Sequence, residues 1–115
     1  MTGELTQAVA RSADAAELHA PVPTLLLELQ TLLGTLSATV AAETNRGRKP
    51  FRPGPDWSQR LGELAYGVYL LADQTGVDLD DSVATTAQRL ADSAPRPAPA
   101  PDRAAAEGDF FERNA

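Results

Sequence analysis

The sequence predicts an all-α fold of four helices, and three features carry that prediction. Leucine and valine recur at three- and four-residue spacing in one segment after another. Those segments are rich in Ala, Leu, Glu and Gln, the residues that lose least on entering a helix. Between them stand Pro, Gly, Asp and Thr, which supply helix starts and stops.

The first helix is expected over residues 4–20, with Leu5, Val9 and Ala16 near one face. That face is thin, so the helix needs a neighbour to be stable. Pro21 and Pro23 are expected to end it, and Thr24 to cap a second helix reaching about Glu43. Leu25, Leu29, Leu32, Leu36 and Val40 form its stripe, which Leu26, Leu27 and Leu33 widen, predicting cover on two sides. Residues 45–55, rich in Gly, Pro and Arg, read as a loop, with Phe51 anchoring it to the core. Asp56 is expected to cap a third helix whose inner face is Trp57, Leu61, Leu64, Val68 and Leu71. Gly67 within it permits close helix approach at some cost in propensity, and Gly76 supplies the stop. Asp78 then opens a short fourth helix carrying Leu79, Val83, Ala87 and Leu90.

From Ser93 the composition changes: Pro95, Pro97, Pro99 and Pro101 alternate with small residues and Arg96. Residues 1–93 thus read as one helical domain and 94–115 as a Pro/Ala-rich tail. Phe110 and Phe111 near its end form either a docking motif or part of a disordered terminus.

Bulk properties narrow the function. The chain has 115 residues, and without the tail fewer than 100 remain to build a core, so self-association is a natural way to complete it. A formal net charge of −6 argues against general nucleic-acid binding. Cysteine is absent and His19 is the lone histidine, which removes disulfides, thiolate metal sites, His-rich zinc sites and a Ser-His-Asp triad. The first residues lack a signal peptide's apolar run, and no uncharged stretch reaches the length of a membrane span. A cytoplasmic protein without a membrane partner is the expectation.

Several segments occur in an informative order. Pro23-Thr24 opens a Leu-rich helix, and a basic hinge follows as Gly47-Arg48-Lys49-Pro50-Phe51-Arg52-Pro53, then Pro55-Asp56-Trp57. The next helix reads Arg60-Leu61-Gly62-Glu63-Leu64 and closes on Leu70-Leu71-Ala72-Asp73-Gln74-Thr75-Gly76-Val77-Asp78-Leu79. Residues 21–90 on these grounds resemble the MazG-like nucleotide pyrophosphohydrolase family, a branch of the all-α NTP pyrophosphatases. The resemblance implies a four-helix domain completed by dimerisation, with a Glu-Glu-x-x-Glu type motif on one helix facing Glu-x-x-Asp on another. Carboxylates at that spacing share a helical face and seat Mg²⁺, which bridges phosphate oxygens and helps activate water.

The chain departs from that pattern. Thr31, Leu32 and Thr35 stand where the resemblance places acidic residues, with Thr39 a turn later, and the Glu-x-x-Asp pair reads Arg60 and Glu63. Glu63 is then the single carboxylate kept at the centre of the site. Arg60 brings a fixed positive charge to the place of a dication and, one turn away, suits a salt bridge with Glu63. Removing an electrostatic contact to a transition state commonly costs roughly 2.7–4 kcal/mol, so losing several removes most of the rate.

Three readings therefore stand. One is a MazG-like pseudoenzyme, needing no cofactor, that binds nucleotide, phosphate or protein as a homodimer or as a heteromer with an active paralogue. Another is a working Mg²⁺-dependent NTP pyrophosphohydrolase of house-cleaning type, with Glu63 as a metal ligand and others drawn from Glu28, Glu43 or Asp73. Glu28 is one turn before the altered motif and Asp73 far along its helix, which disfavours that set. The last is a helical dimerisation unit whose tail carries the partner motif. Arg46, Arg48, Lys49 and Arg52 are phosphate candidates, assisted by backbone N–H groups around Gly47, against a solvated hinge as the plainer account. Arg89 is a further candidate, and a helix-end charge is its simpler role. Trp57, Tyr66 and Tyr69 could stack on a base, but core or interface positions suit them better, and His19 is expected at the surface.

Overall fold

The computed structural model describes residues 3–95, and the calls on the tail, Phe110 and Phe111 among them, lie outside the described residues. Four helices follow in order, α1 (Glu4–Ala15), α2 (Val22–Glu43), α3 (Trp57–Thr75) and α4 (Leu79–Ser93), with no strand among the described residues. The chain divides into two compact units, residues 1–84 and 85–115, the division falling within α4. α4 itself ends at Ser93, where the composition changes.

Backbone closures set the helix ends. α1 stops at Ala15, not residue 20, because Glu17 takes a left-handed conformation (φ 55°). Leu18 N–H then bonds Ala13 C=O at 2.9 Å and Glu17 N–H bonds Asp14 C=O at 3.3 Å, satisfying carbonyls that the helix leaves open. Asn45 (φ 49°) closes α2 in the same way through Arg46 N–H to Ala41 C=O at 2.7 Å. Gly76 (φ 73°) closes α3 through Val77 N–H to Ala72 C=O at 2.9 Å.

The starts differ more from expectation. α2 begins at Val22, with Pro21 at its N-cap and Pro23 in its first turn, so Thr24 lies inside the helix and does not cap it. Proline suits that place because its fixed φ is nearly helical and its missing N–H is one that no helix would satisfy. Asp56 does precede α3, but without a side-chain capping bond. Asp78 caps α4 as expected, its Oδ1 accepting from Asp81 N–H at 3.1 Å.

In residues 1–84, α3 is the central helix. It runs antiparallel to α2: Leu29 meets Gly67, whereas Val40 and Trp57 share a groove at the other end. A Cβ on Gly67 would lie 2.6 Å from Leu29 Cδ2, so glycine sets the closeness of these two helices. α1 also packs on α3, and Val9, Ala13, Leu25 and Leu70 form the buried centre with Tyr66, Tyr69 and Leu71 half-buried around it. The inner face of α1 is therefore Val9 and Ala13, while Leu5 and Ala16 are exposed.

That core is small, with no large side chain completely buried. The stripe expected to be the inner face of α3 is partly open, Leu61 being 42% and Val68 38% exposed. On α2, Leu33 is 54% exposed. α2 is long and apolar enough to cross a membrane by length and composition, Glu28 notwithstanding, yet only 11% of its apolar window is buried. Val83 and Leu90 of α4 are exposed as well.

Candidate functional site

Two depressions flank the α2–α3 pair at its two ends. The first, about 320 Å³, has a floor of Leu25, Leu29, Leu32 and Leu70, with Glu17, Glu28 and Glu63 at its sides. Sequence spacing set Glu28 apart from Glu63, but the antiparallel pairing brings both to this one cavity. His19 and Tyr66 line it too, and among the described residues no Lys or Arg does. The second, about 720 Å³, is an open apolar groove of Leu33, Leu36, Val40, Trp57, Leu61 and Leu64 with Arg46 at its edge.

The altered motif does not reassemble as a metal centre. Thr31 and Thr35 are exposed, and their hydroxyls donate to the carbonyls of Leu27 at 3.1 Å and Thr31 at 3.0 Å. Thr39 does the same to Thr35 at 2.9 Å. Such back-bonding is the ordinary fate of a hydroxyl inside a helix. Leu32 contributes apolar wall to the cavity and offers no donor atom.

Arg60 and Glu63 do not form the expected one-turn salt bridge. Glu63 accepts instead from Gln59 Nε2 at 3.1 Å. Half-buried Arg60 faces a separate depression with Thr39, Glu43, Asp56 and Trp57. Glu43 is thereby on Arg60's side and far from Glu63's cavity, and Asp73 is engaged by His19. Among the described residues no group of three or more His, Cys, Asp or Glu is disposed to hold a metal ion. Mg²⁺ requires several oxygen ligands in near-octahedral order, so these residues do not fit it.

The basic loop differs in an instructive way. Asn45, Arg46 and Gly47 are all left-handed, at φ 49°, 59° and 86°. This tight winding spends the backbone donors internally: Gly47 N–H goes to Thr44 Oγ1 at 3.0 Å, Arg48 N–H to Asn45 C=O at 3.4 Å and Lys49 N–H to Thr44 C=O at 2.9 Å. The N–H groups next to Gly47 are thus not free to cradle an anion. Arg46, Arg48, Lys49 and Arg52 are all exposed, and the ion pairs among the described residues are those of His19. Phe51 does anchor the loop, meeting Trp57 edge-on with ring centroids 4.9 Å apart. Arg89, in residues 85–115, is exposed beside Gln88 and Asp92.

Sequence reasoning missed three polar bridges. Tyr66 and Tyr69 both face the core, where their hydroxyls meet Ser12 Oγ at 2.7 Å and Asp80 Oδ1 at 2.6 Å. His19, exposed as expected, sets Nε2 at 2.7 Å from Asp73 and Nδ1 at 3.3 Å from Asp14. The signal was faint: polar residues spaced along α1 with no evident task. Compared with family models, characterised proteins and solved structures, the chain has no match.

Proposed function

We propose that this chain is a MazG-like helical protein that acts by binding, not by metal-dependent hydrolysis, and that its α2–α3 face associates with a second copy or a paralogue. The open apolar groove carries the reading: a long apolar helix is left largely uncovered beside exposed Leu61 and half-buried Leu64 of α3. Contiguous apolar surface of this kind is costly in water and marks an association site. Pairing two such faces would cover α2 on its second side, as its wide stripe requires.

The cavity at the other end supports the non-catalytic half. Three carboxylates without a lining Lys or Arg repel a polyphosphate, and the donor set does not fit Mg²⁺. One observation favours the hydrolase as a second reading, namely that Glu28 and Glu63 share that cavity. Pyrophosphate release from a panel of NTPs and dNTPs with Mg²⁺ or Mn²⁺ separates the two. The binding reading expects no turnover; turnover that disappears in Glu63→Gln would establish the hydrolase. Sedimentation velocity over a concentration series tests association, and a chain that stays monomeric throughout would sink the pairing.

A further inference from the structure

α1 is held to residues 1–84 by few apolar contacts. Only Val9 and Ala13 of its 12 residues are buried, and one of those is an alanine. A helix this short is not stable by itself in water, so its attachment decides whether it exists. The attachment is largely polar and is made at three places. Near the N-terminus, Asp80 of α4 accepts from Thr6 Oγ1 at 2.9 Å and from Tyr69 OH of α3 at 2.6 Å. In the middle, Ser12 Oγ meets Tyr66 OH at 2.7 Å. Beyond the C-terminus, His19 bridges Asp14 and Asp73.

Asp80 is the point on which three elements converge. Besides Thr6 and Tyr69 it takes the backbone N–H of Gly3, the residue just ahead of α1. A carboxylate placed there also faces the unsatisfied donors and positive end of the helix dipole. The approach is so close that a Cβ on Gly3 would fall on the Asp80 carboxyl group. α2 and α3 also meet away from this junction, where Leu29 approaches Gly67 and around buried Leu36.

We propose that α1 is a detachable strap, clasped by the Asp80 carboxylate and released when that carboxylate is neutralised, baring Tyr66, Tyr69, Leu70 and Leu25 beneath it. Three donors converge on the charged form, whereas a protonated carboxyl is a weaker acceptor and must place a proton among them. Around the junction stand Glu4 on α1, Tyr69 and Asp73 on α3, Asp81 on α4 and Asp78 at its N-cap, and the cations of α1 and α3, Arg11 and Arg60, form no ion pair with Asp80. Hydrogen bonding is what keeps Asp80 charged.

The direction of its titration agrees. The Tyr69 hydrogen bond first, then those of Thr6 and Gly3, hold the Asp80 carboxyl below its ordinary value of 3.8. Its contribution is present above 3.8 and is lost as pH falls through the lowered folded value. The same bond to Asp80 raises Tyr69 above 10.0, so on the alkaline side the clasp is lost as pH rises through that raised value. Across the neutral range the Asp80–Tyr69 clasp is closed.

Amide hydrogen exchange on the full chain at neutral pH, read by peptide mass, tests the clasp with Asp80→Asn and the milder Tyr69→Phe. The expected result is exchange in α1 faster by about tenfold or more in Asp80→Asn, with α2 and α3 protected as before. Tyr69→Phe should move α1 the same way by less. Unchanged α1 protection in Asp80→Asn overturns the proposal. So does loss of protection in α1, α2 and α3 together in both variants, which would mean a single cooperative unit. Should Asp80→Asn not fold, Tyr69→Phe decides alone by the same criterion. None of these outcomes depends on whether the α2–α3 face pairs.

Discussion

Replacing Leu33 and Leu61 together by aspartate separates a face awaiting a partner from ordinary surface. The two side chains are 54% and 42% exposed within one chain and both line the open groove. Complete burial of a leucine is worth about 2 kcal/mol, so covering the exposed half of each gains about 1 kcal/mol per site. Two sites on each of two chains sum to about 4 kcal/mol, or about three decades in the dissociation constant. The penalty for placing carboxylates in the interface adds to that loss. The isolated chain should lose about 1 kcal/mol per site, because the half of each leucine already covered within one chain is given up as well. Sedimentation velocity reads the first quantity, and urea unfolding at a concentration where the chain is monomeric reads the second. Wild type should associate and the double variant should not, while the monomer loses about 2 kcal/mol in all. The reasoning is refuted if the variant associates as tightly as wild type. It is equally refuted if the monomer loses about 4 kcal/mol or more, the value of complete burial at both sites, since the face would then be internal.

Leu25→Ala provides that core truncation: Leu25 is 2% exposed in the central cluster, and its loss should cost about 2–4 kcal/mol in denaturant unfolding. Glu17→Gly should stabilise, because glycine adopts the left-handed conformation at φ 55° without the side-chain penalty, offset by its chain entropy. A gain of about 0.5–1 kcal/mol in the thermal or urea midpoint is expected, and a loss would show that the Glu17 side chain is needed at the cavity. Stability against pH should be level from above 3.8 up to 10.0 as far as the Asp80–Tyr69 pair is concerned. Asp80→Asn should flatten the fall below that range, and an unaltered acid limb would assign it to other carboxylates.

The helical class and the four segments were legible because the apolar periodicity is strong and glycine, proline and asparagine mark the gaps. Helix ends were less so. Gly76 announced its own closure, but nothing in the type of residue says that Glu17 turns left-handed, and so α1 was read five residues too long. The face of α3 was displaced for a related reason. Periodicity finds the apolar stripe but not which neighbour covers it, and here Gly67 meets Leu29 of α2 while Leu61 and Val68 are left partly open. At the site, the identity of the residues showed that the carboxylate motif was incomplete. It did not show that Arg60 and Glu63 point into different depressions, because that depends on how α3 is rotated against α2.

The rotation also bears on positions 31, 32 and 35. Thr31 and Thr35 satisfy their hydroxyls within α2, and Leu32 joins the leucine floor, so these positions are ordinary helix surface and wall. Glu28, Glu63 and Glu17 then surround that floor with negative charge, while the basic side chains are on the loop that borders the other groove. A polyphosphate needs cations beside its oxygens at the place where chemistry occurs. Here the N–H groups of residues 45–49 are already committed, and Arg46 adjoins leucines instead of carboxylates. Charge and donor geometry are thus divided between the two ends of the α2–α3 pair, and neither end combines them. What the pair does present without division is apolar surface, continuous from Leu33 to Val40 on α2 and from Trp57 to Leu64 on α3, which is why association is the function argued from it.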